Sequence, residues 1–289
     1  MSWEKAVRSW ETLGRVTGKP LREARLQAHW AVQPVAWFGM TFVPSRPDDS
    51  HTSLTWLPGP RLLASEPLGS GARAAVRLAD LTLLLLDDRG SVEDQLPLPG
   101  RTLDEAKRWI LEKGINSGGG RAAELKPPAY EIPGHPAGAG EPFRLGSPEP
   151  YRELERWYAN AAALEEIVAA KWVGASPVRC WPHHFDLATL ISAEGGGADP
   201  EEARSIGVGM TPGDDYYDVP YFYVNPWPRR AGTDLPALAG GGIWHTEDWF
   251  GAVLPAGALL ASGGSGSQPE RVTKYLESAL LSGKSLLGL

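Results

Sequence analysis

Residues 116–148 hold seven glycines and six prolines, among them Gly118-Gly119-Gly120 and Pro127-Pro128. No regular element propagates through such a run. Proline removes a backbone donor and fixes φ, and glycine loses the most conformational freedom on ordering. A structureless stretch of this length is uncommon inside a compact domain, so it either separates two lobes or wraps over the surface of one. The chain is read accordingly as an N-terminal lobe over 1–115, a Gly/Pro-rich connection over 116–148 and a C-terminal lobe over 149–289. At 289 residues roughly three-quarters of the chain's surface can be buried, and a core needs no covalent staples.

Both lobes carry the same kind of pattern. In the first, Trp3, Val7, Trp10 and Leu13, then Leu26 and Trp30, recur at helical spacing over 3–16 and 21–33, and Pro34 is expected to kink or end the second helix. Strands are expected over 53–57, 73–78, 81–86 and 92–98, with Asp88-Arg89-Gly90 as a hairpin turn. Thr102 and Glu105 have capping-box spacing ahead of an amphipathic helix through Leu103, Ala106, Trp109 and Ile110, with Gly114 suited to its end. In the second lobe, Leu154, Trp157, Tyr158, Ala161, Leu164 and Val168 make one helical stripe up to about Trp172. Strands follow at about 178–192, 204–210, 219–225 and 243–254, and Pro269 opens a last helix. The class is α+β, antiparallel sheets with helices packed to one side. The order helix–strands–helix occurs twice with little residue identity between the halves, which leaves a duplication open.

The formal charge of −7 opposes a nucleic-acid footprint, which needs a basic face. The single cysteine, Cys180, excludes a disulfide framework and any four-cysteine zinc site. Charged Glu4, Lys5, Arg8 and Glu11 precede any apolar run, unlike a secretory signal. A cytoplasmic protein with no membrane partner is expected, of open oligomeric state. Neither Gly-x-Ser-x-Gly nor His-Glu-x-x-His is present.

The candidate chemistry gathers in the C-terminal lobe. In Cys180-Trp181-Pro182-His183-His184-Phe185-Asp186, strand alternation would put His184 and Asp186 on one face. In Trp244-His245-Thr246-Glu247-Asp248-Trp249 it would pair His245 with Glu247. His184, Asp186 and His245 are thus candidate ligands for a divalent ion such as zinc, iron or manganese, or acid and base groups. Asp214, in the turn Pro212-Gly213-Asp214, is a further candidate base. Along Tyr221-Phe222-Tyr223-Val224 one face reads as core, and the other, Tyr221 and Tyr223, as an amphipathic wall. Trp181, Trp244 and Trp249 would complete a pocket for a small-molecule ligand, and His51, after Asp48-Asp49-Ser50, would lend a contact from the first lobe. His29 reads as a packed histidine and His135 as idle.

Trp181-Pro182-His183-His184-Phe185-Asp186, Ser205-Ile206-Gly207-Val208-Gly209, Pro220-Tyr221-Phe222-Tyr223-Val224, Trp244-His245-Thr246, Asp48-Asp49-Ser50-His51-Thr52 and Arg156-Trp157-Tyr158-Ala159-Asn160 together resemble a bacterial family of unknown function marked by the same Trp-Pro-His-His-Phe-Asp block. The resemblance spans nearly the whole chain and implies that the lobes act as one unit. It transfers no activity. Two functional classes are left: a small-molecule enzyme with a His/Asp site walled by aromatics, or a non-catalytic ligand-, sugar- or protein-binding module whose histidines are structural.

Overall fold

The computed structural model describes residues 3–193, 203–229, 234–261 and 266–289. Among them are six helices: α1 (Trp3–Arg8), α2 (Lys19–Phe42), α3 (Leu103–Gly114), α4 (Glu149–Lys171), α5 (Ala256–Leu260) and α6 (Gln268–Leu287). The strands are β1 (Leu54–Leu57), β2 (Leu62–Ser65), β3 (Arg73–Arg77), β4 (Thr82–Leu86), β5 (Val92–Pro97), β6 (Arg179–Trp181), β7 (Asp186–Ser192), β8 (Ser205–Thr211), β9 (Tyr221–Trp227), β10 (Ile243–His245) and β11 (Gly251–Pro255). The fold class is α+β, and the strand pairs are antiparallel.

Contacts divide the chain into two units that are not consecutive stretches. An amino unit comprises Val16–Glu155 and Arg179–Phe185; a carboxy unit comprises Met1–Arg15, Arg156–Val178 and Asp186–Leu289. These differ from the compositional lobes. The first fifteen residues join the carboxy unit, while the whole Gly/Pro-rich segment and residues 179–185 lie in the amino unit.

In the amino unit the strands run in the order β6-β1-β2-β3-β4-β5. The hairpin at Asp88-Arg89-Gly90 forms as expected, with Gly90 at φ 81° and its N–H donating to the Asp87 carbonyl. Strand β2 was not legible, because all four of its residues are buried and no alternation marks it. Helix α2 does not end at Pro34 but continues to Phe42. An interior proline costs about 3 kcal/mol. Burial outweighs it here: Val32, Val35, Ala36 and Phe38 are all fully buried, each large apolar side chain being worth about 1.5–3 kcal/mol. The Thr102–Glu105 capping box is present at α3, but Gly114 stays helical and the chain turns at Gly118, φ 87°.

The segment 116–148 wraps; it runs back along α2 as a strap. Lys126 N–H donates to Thr41 Oγ1 (2.9 Å), Tyr130 Oη to Gln33 Oε1 (2.9 Å), Trp30 Nε1 to the Pro133 carbonyl (2.9 Å) and Arg144 N–H to Gln27 Oε1 (2.8 Å). Gly138 lies where a Cβ would stand 2.3 Å from the Trp30 ring, so only glycine lets the strap close on that indole. Phe143 is fully buried.

In the carboxy unit the order is β10-β11-β9-β8-β7. Helix α6 packs on β8, β9 and β11 through Val272, Tyr275, Leu276 and Ala279, all fully buried. Tyr275 Oη donates to the Ala252 carbonyl at 2.8 Å. The helix expected over 3–16 stops at Arg8. Beyond it two side-chain amides capture the backbone: Asn160 exchanges hydrogen bonds with Glu11 (3.0 and 2.8 Å) and Gln268 with Leu13 (2.9 and 3.0 Å). Those partners substitute for the helix's own ladder. No helix among the described residues is long and apolar enough to cross a membrane.

Two expected strands are interrupted. The span 178–192 divides into β6 and β7 around the turn 182–185, and 243–254 into β10 and β11 around 246–250. Phe185 (φ 58°) and Asp248 (φ 56°) are left-handed, a conformation no strand residue adopts. The alternation that was to pair His184 with Asp186, and His245 with Glu247, therefore does not exist. His184 sits in a turn of the amino unit, Asp186 opens a strand of the carboxy unit, and Glu247 lies beyond the end of β10.

Candidate functional site

The carboxy unit gathers carboxylates, phenols and an imidazole around one face of β9. Alternation along this strand holds as expected. Phe222 and Val224 are fully buried, and Tyr221 and Tyr223 share the other face with ring centroids 6.3 Å apart. Tyr223 Oη donates to Asp186 Oδ2 at the start of β7. Gly209 on β8 makes room: a Cβ there would stand 2.6 Å from the Tyr223 hydroxyl.

Glu165 of α4 belongs to the same cluster. It is 1% exposed, and among the described residues neither carboxyl oxygen makes a well-formed hydrogen bond. Burial first, then the Asp186 charge, push its pKa well above the ordinary glutamate value, with the Met210 amide opposing weakly. Burial and the Asp186 carboxylate likewise raise the Tyr223 phenol. Burial thus favours the protonated form of both Glu165 and Tyr223.

The connection from β8 to β9 supplies the second pair. Asp214 Oδ1 accepts the backbone N–H groups of Tyr216 and Tyr217 (2.9 Å each), an Asx-type turn. Its Oδ2 accepts from Tyr221 Oη at 2.5 Å. Burial and then this bond to Asp214 raise the Tyr221 phenol. Tyr217, raised mainly by burial, places its hydroxyl 3.0 Å from His245 Nδ1. With the phenol as donor, the imidazole proton sits on Nε2. That nitrogen is buried without a hydrogen-bond partner among the described residues. The His245 ring stacks on Trp249, centroids 4.4 Å apart and planes 23° off parallel, and Tyr216 meets both edge-on. Exposed Asp215, Glu247 and Asp248 adjoin these aromatic residues in sequence, Glu247 acts electrostatically on Tyr217, and the Arg229 guanidinium donates to the Thr246 carbonyl at 3.0 Å.

The structure thus brings Asp186, Asp214, Tyr221, Tyr223, His245 and Trp249 into one unit as linked hydrogen-bonded or stacked groups. Trp244 lies apart, stacked on Phe250 (5.3 Å, 7°) with its Nε1 donating to the Pro236 carbonyl. His184, Trp181 and His51 belong to the amino unit. His51 is buried and its Nδ1 accepts the Arg46 N–H at 3.2 Å, locking the loop after α2. Asp48 caps the Ser50 N–H. His29 is packed as expected, donating Nε2–H to the Pro182 carbonyl at 2.8 Å. His135 is engaged, with Nδ1 accepting the Ala137 N–H and Nε2 donating to Glu23. Among the described residues no group of three or more His, Cys, Asp or Glu side chains is gathered as a metal-ligand set.

Sequence reasoning missed Glu165 and Tyr217. Glu165 interrupts an otherwise apolar helical stripe, Ala161-Ala162-Ala163-Leu164-Glu165, and that interruption was the available signal. Tyr217 carried none, because its role depends on His245 arriving from 28 residues away. Cavities lie elsewhere in the structure. One of about 350 Å³ between α2 and the strap is lined by Glu23, Gln27, His135 and Tyr151. Another of about 710 Å³ in the carboxy unit is lined by Trp172, Ile191, Ile206 and two lysines and holds no acid–base pair.

Comparison of the chain with protein-family models, with curated proteins and with solved structures finds no match.

Proposed function

We propose that the protein is an enzyme acting on a small organic molecule by general acid–base catalysis, with its site in the carboxy unit at Asp214, Tyr217, Tyr221 and His245. One observation carries the reading: an imidazole backed by a phenol and lying beside a carboxylate–phenol pair, its far nitrogen uncommitted. Such a nitrogen carries a proton to or from a substrate when the opposite nitrogen is held by a hydrogen bond, once the side chains that cover it here move aside. Trp249 and Tyr216 supply aromatic walls. The exposed carboxylates that adjoin them in sequence favour a substrate bearing positive charge, which aromatic faces also attract. Asp186 and Tyr223 form a second carboxylate–phenol pair, with Glu165 beside it.

The reading without catalysis predicts exposed, coplanar tryptophans on an open face and no enclosed pocket. Trp244 and Trp249 are half-buried against Phe250 and His245, which favours the enzyme reading, whereas the exposed Trp227 and the position of the cavities away from these residues favour the other.

The test is a backbone NMR titration of the full chain with panels of small organic cations, anions and neutral polyols. Bound compounds are then incubated with the protein and followed for turnover. Cations are expected to shift the signals of Tyr217, His245 and Trp249. Tyr217→Phe, which keeps the ring, is expected to slow turnover by about 100-fold, the usual contribution of one acid–base group. Binding confined to other surfaces would overturn the site. Binding there without turnover of any bound compound would overturn the enzyme.

A further inference from the structure

The chain has six histidines. In His29, His51, His135 and His245 at least one ring nitrogen is committed to a hydrogen bond. Among the described residues His183 and His184 alone commit none, His183 being half-buried and His184 exposed. These two sit side by side in the 182–185 turn of the amino unit, ring centroids 4.3 Å apart.

The turn that presents them is held rigidly. The Pro182 carbonyl accepts from both His29 Nε2 (2.8 Å) and Gln33 Nε2 (2.9 Å), one helical turn apart on α2. Gln33 Oε1 in turn accepts from Tyr130 Oη (2.9 Å), and the Tyr130 ring flanks His183 at 5.7 Å. Phe185 is fully buried, stacked on His29 at 5.1 Å, and sits at φ 58°. A bulky residue in the left-handed region is strained and persists only where its surroundings over-determine it, a situation concentrated at functional sites. Here a hydrogen-bonded network of three side chains and one strained aromatic hold the turn that carries the two histidines.

We propose that the His183–His184 tip binds a late first-row transition-metal ion, held by the two imidazoles, with its remaining positions open to water or an exogenous ligand. Imidazole is the preferred donor for copper, nickel and zinc. The Asp49 carboxylate acts electrostatically on the His183 ring and favours a cation. The Gln33–Tyr130 anchor does for these ligands what outer hydrogen bonds do at metal centres generally, setting their orientation. This site uses none of the residues of the acid–base cluster.

The test is calorimetric titration of the untagged full chain with copper(II), nickel(II) and zinc(II) salts, with electron paramagnetic resonance of the copper form. About one ion per chain is expected, copper binding tightest, with nitrogen coupling in its spectrum. His184 is exposed, so His184→Ala leaves the fold intact; it and His183→Ala are each expected to weaken copper binding by roughly tenfold or more. Tyr130→Phe keeps both ligands but loses the anchor, and is expected to weaken binding by about tenfold, the usual cost of an outer-sphere partner. His245→Ala is expected to bind as wild type. Absence of binding by the wild-type chain, or undiminished binding by the His183→Ala/His184→Ala double variant, overturns the proposal.

Discussion

His29 shows how one buried side chain couples this fold to pH. Burial lowers its pKa from 6.5 to about 4, with the Pro182 hydrogen bond opposing and the Arg25 charge adding to the shift. Between those two values the unfolded chain takes up a proton that the folded chain refuses. The contribution is therefore whole above pH 6.5 and is lost as pH falls toward 4, at a total of about 3 kcal/mol by linkage. His29→Gln retains an amide donor toward Pro182 and removes the titration. Urea denaturation at a series of pH values is expected to show a shallower loss of stability between pH 6.5 and 4 in the variant than in wild type. Parallel curves would refute the assignment. The sequence showed a histidine on an amphipathic helix and supported a packed role; its partner, a carbonyl more than 150 residues away, was not in view.

Strand β9 and the turn 182–185 mark what alternation can and cannot show at the scale of elements. Where a strand has one face against α6 and the other against polar groups, the period of two is written into the residues, as in Tyr221-Phe222-Tyr223-Val224. Where a strand is interrupted by a left-handed residue the pattern runs on in the letters while the backbone does not. Phe185 is no glycine and gave no local sign of its φ, because its conformation is imposed by the stacking and hydrogen bonds of α2. The close packing of β8 against β9 yields a prediction of its own. Gly209→Ala would place a methyl 2.6 Å from both the Leu187 carbonyl and the Tyr223 hydroxyl. The variant is expected to lose about 1–3 kcal/mol, the range for overpacking, and to loosen Tyr223 from Asp186, bringing its phenol ionisation down in an absorbance titration. An unchanged melting temperature would show that the two strands stand further apart.

For the molecule as a whole, the strap is the feature most unlike its composition. Thirteen glycines and prolines in 116–148 describe a linker, yet the segment is hydrogen-bonded along α2 and buries Phe143. Limited proteolysis is expected to spare residues 126–145 in the native protein and to cut them only at denaturant concentrations where the amino unit unfolds. Rapid nicking within that stretch under native conditions would mean the strap is not docked. The division into two units follows the same rule, for the backbone at Glu11 and Leu13 is held by side chains of α4 and α6 rather than by its neighbours in sequence.

The sequence by itself determined what local physics controls: the α+β class, most helices, the capping box at Thr102, the hairpin at Gly90 and the split faces of β9. It also located Asp186, Asp214, Tyr221, Tyr223, His245 and Trp249 as candidates, since polar residues set among aromatics stand out in composition. Tertiary structure decided the rest. It carried α2 through Pro34, ended α1 at Arg8, broke two strands, and separated His184 from Asp186 although the two lie two residues apart. Each of these outcomes depends on partners far away in the chain, whose burial and hydrogen bonds outweigh the local preference and leave no local trace.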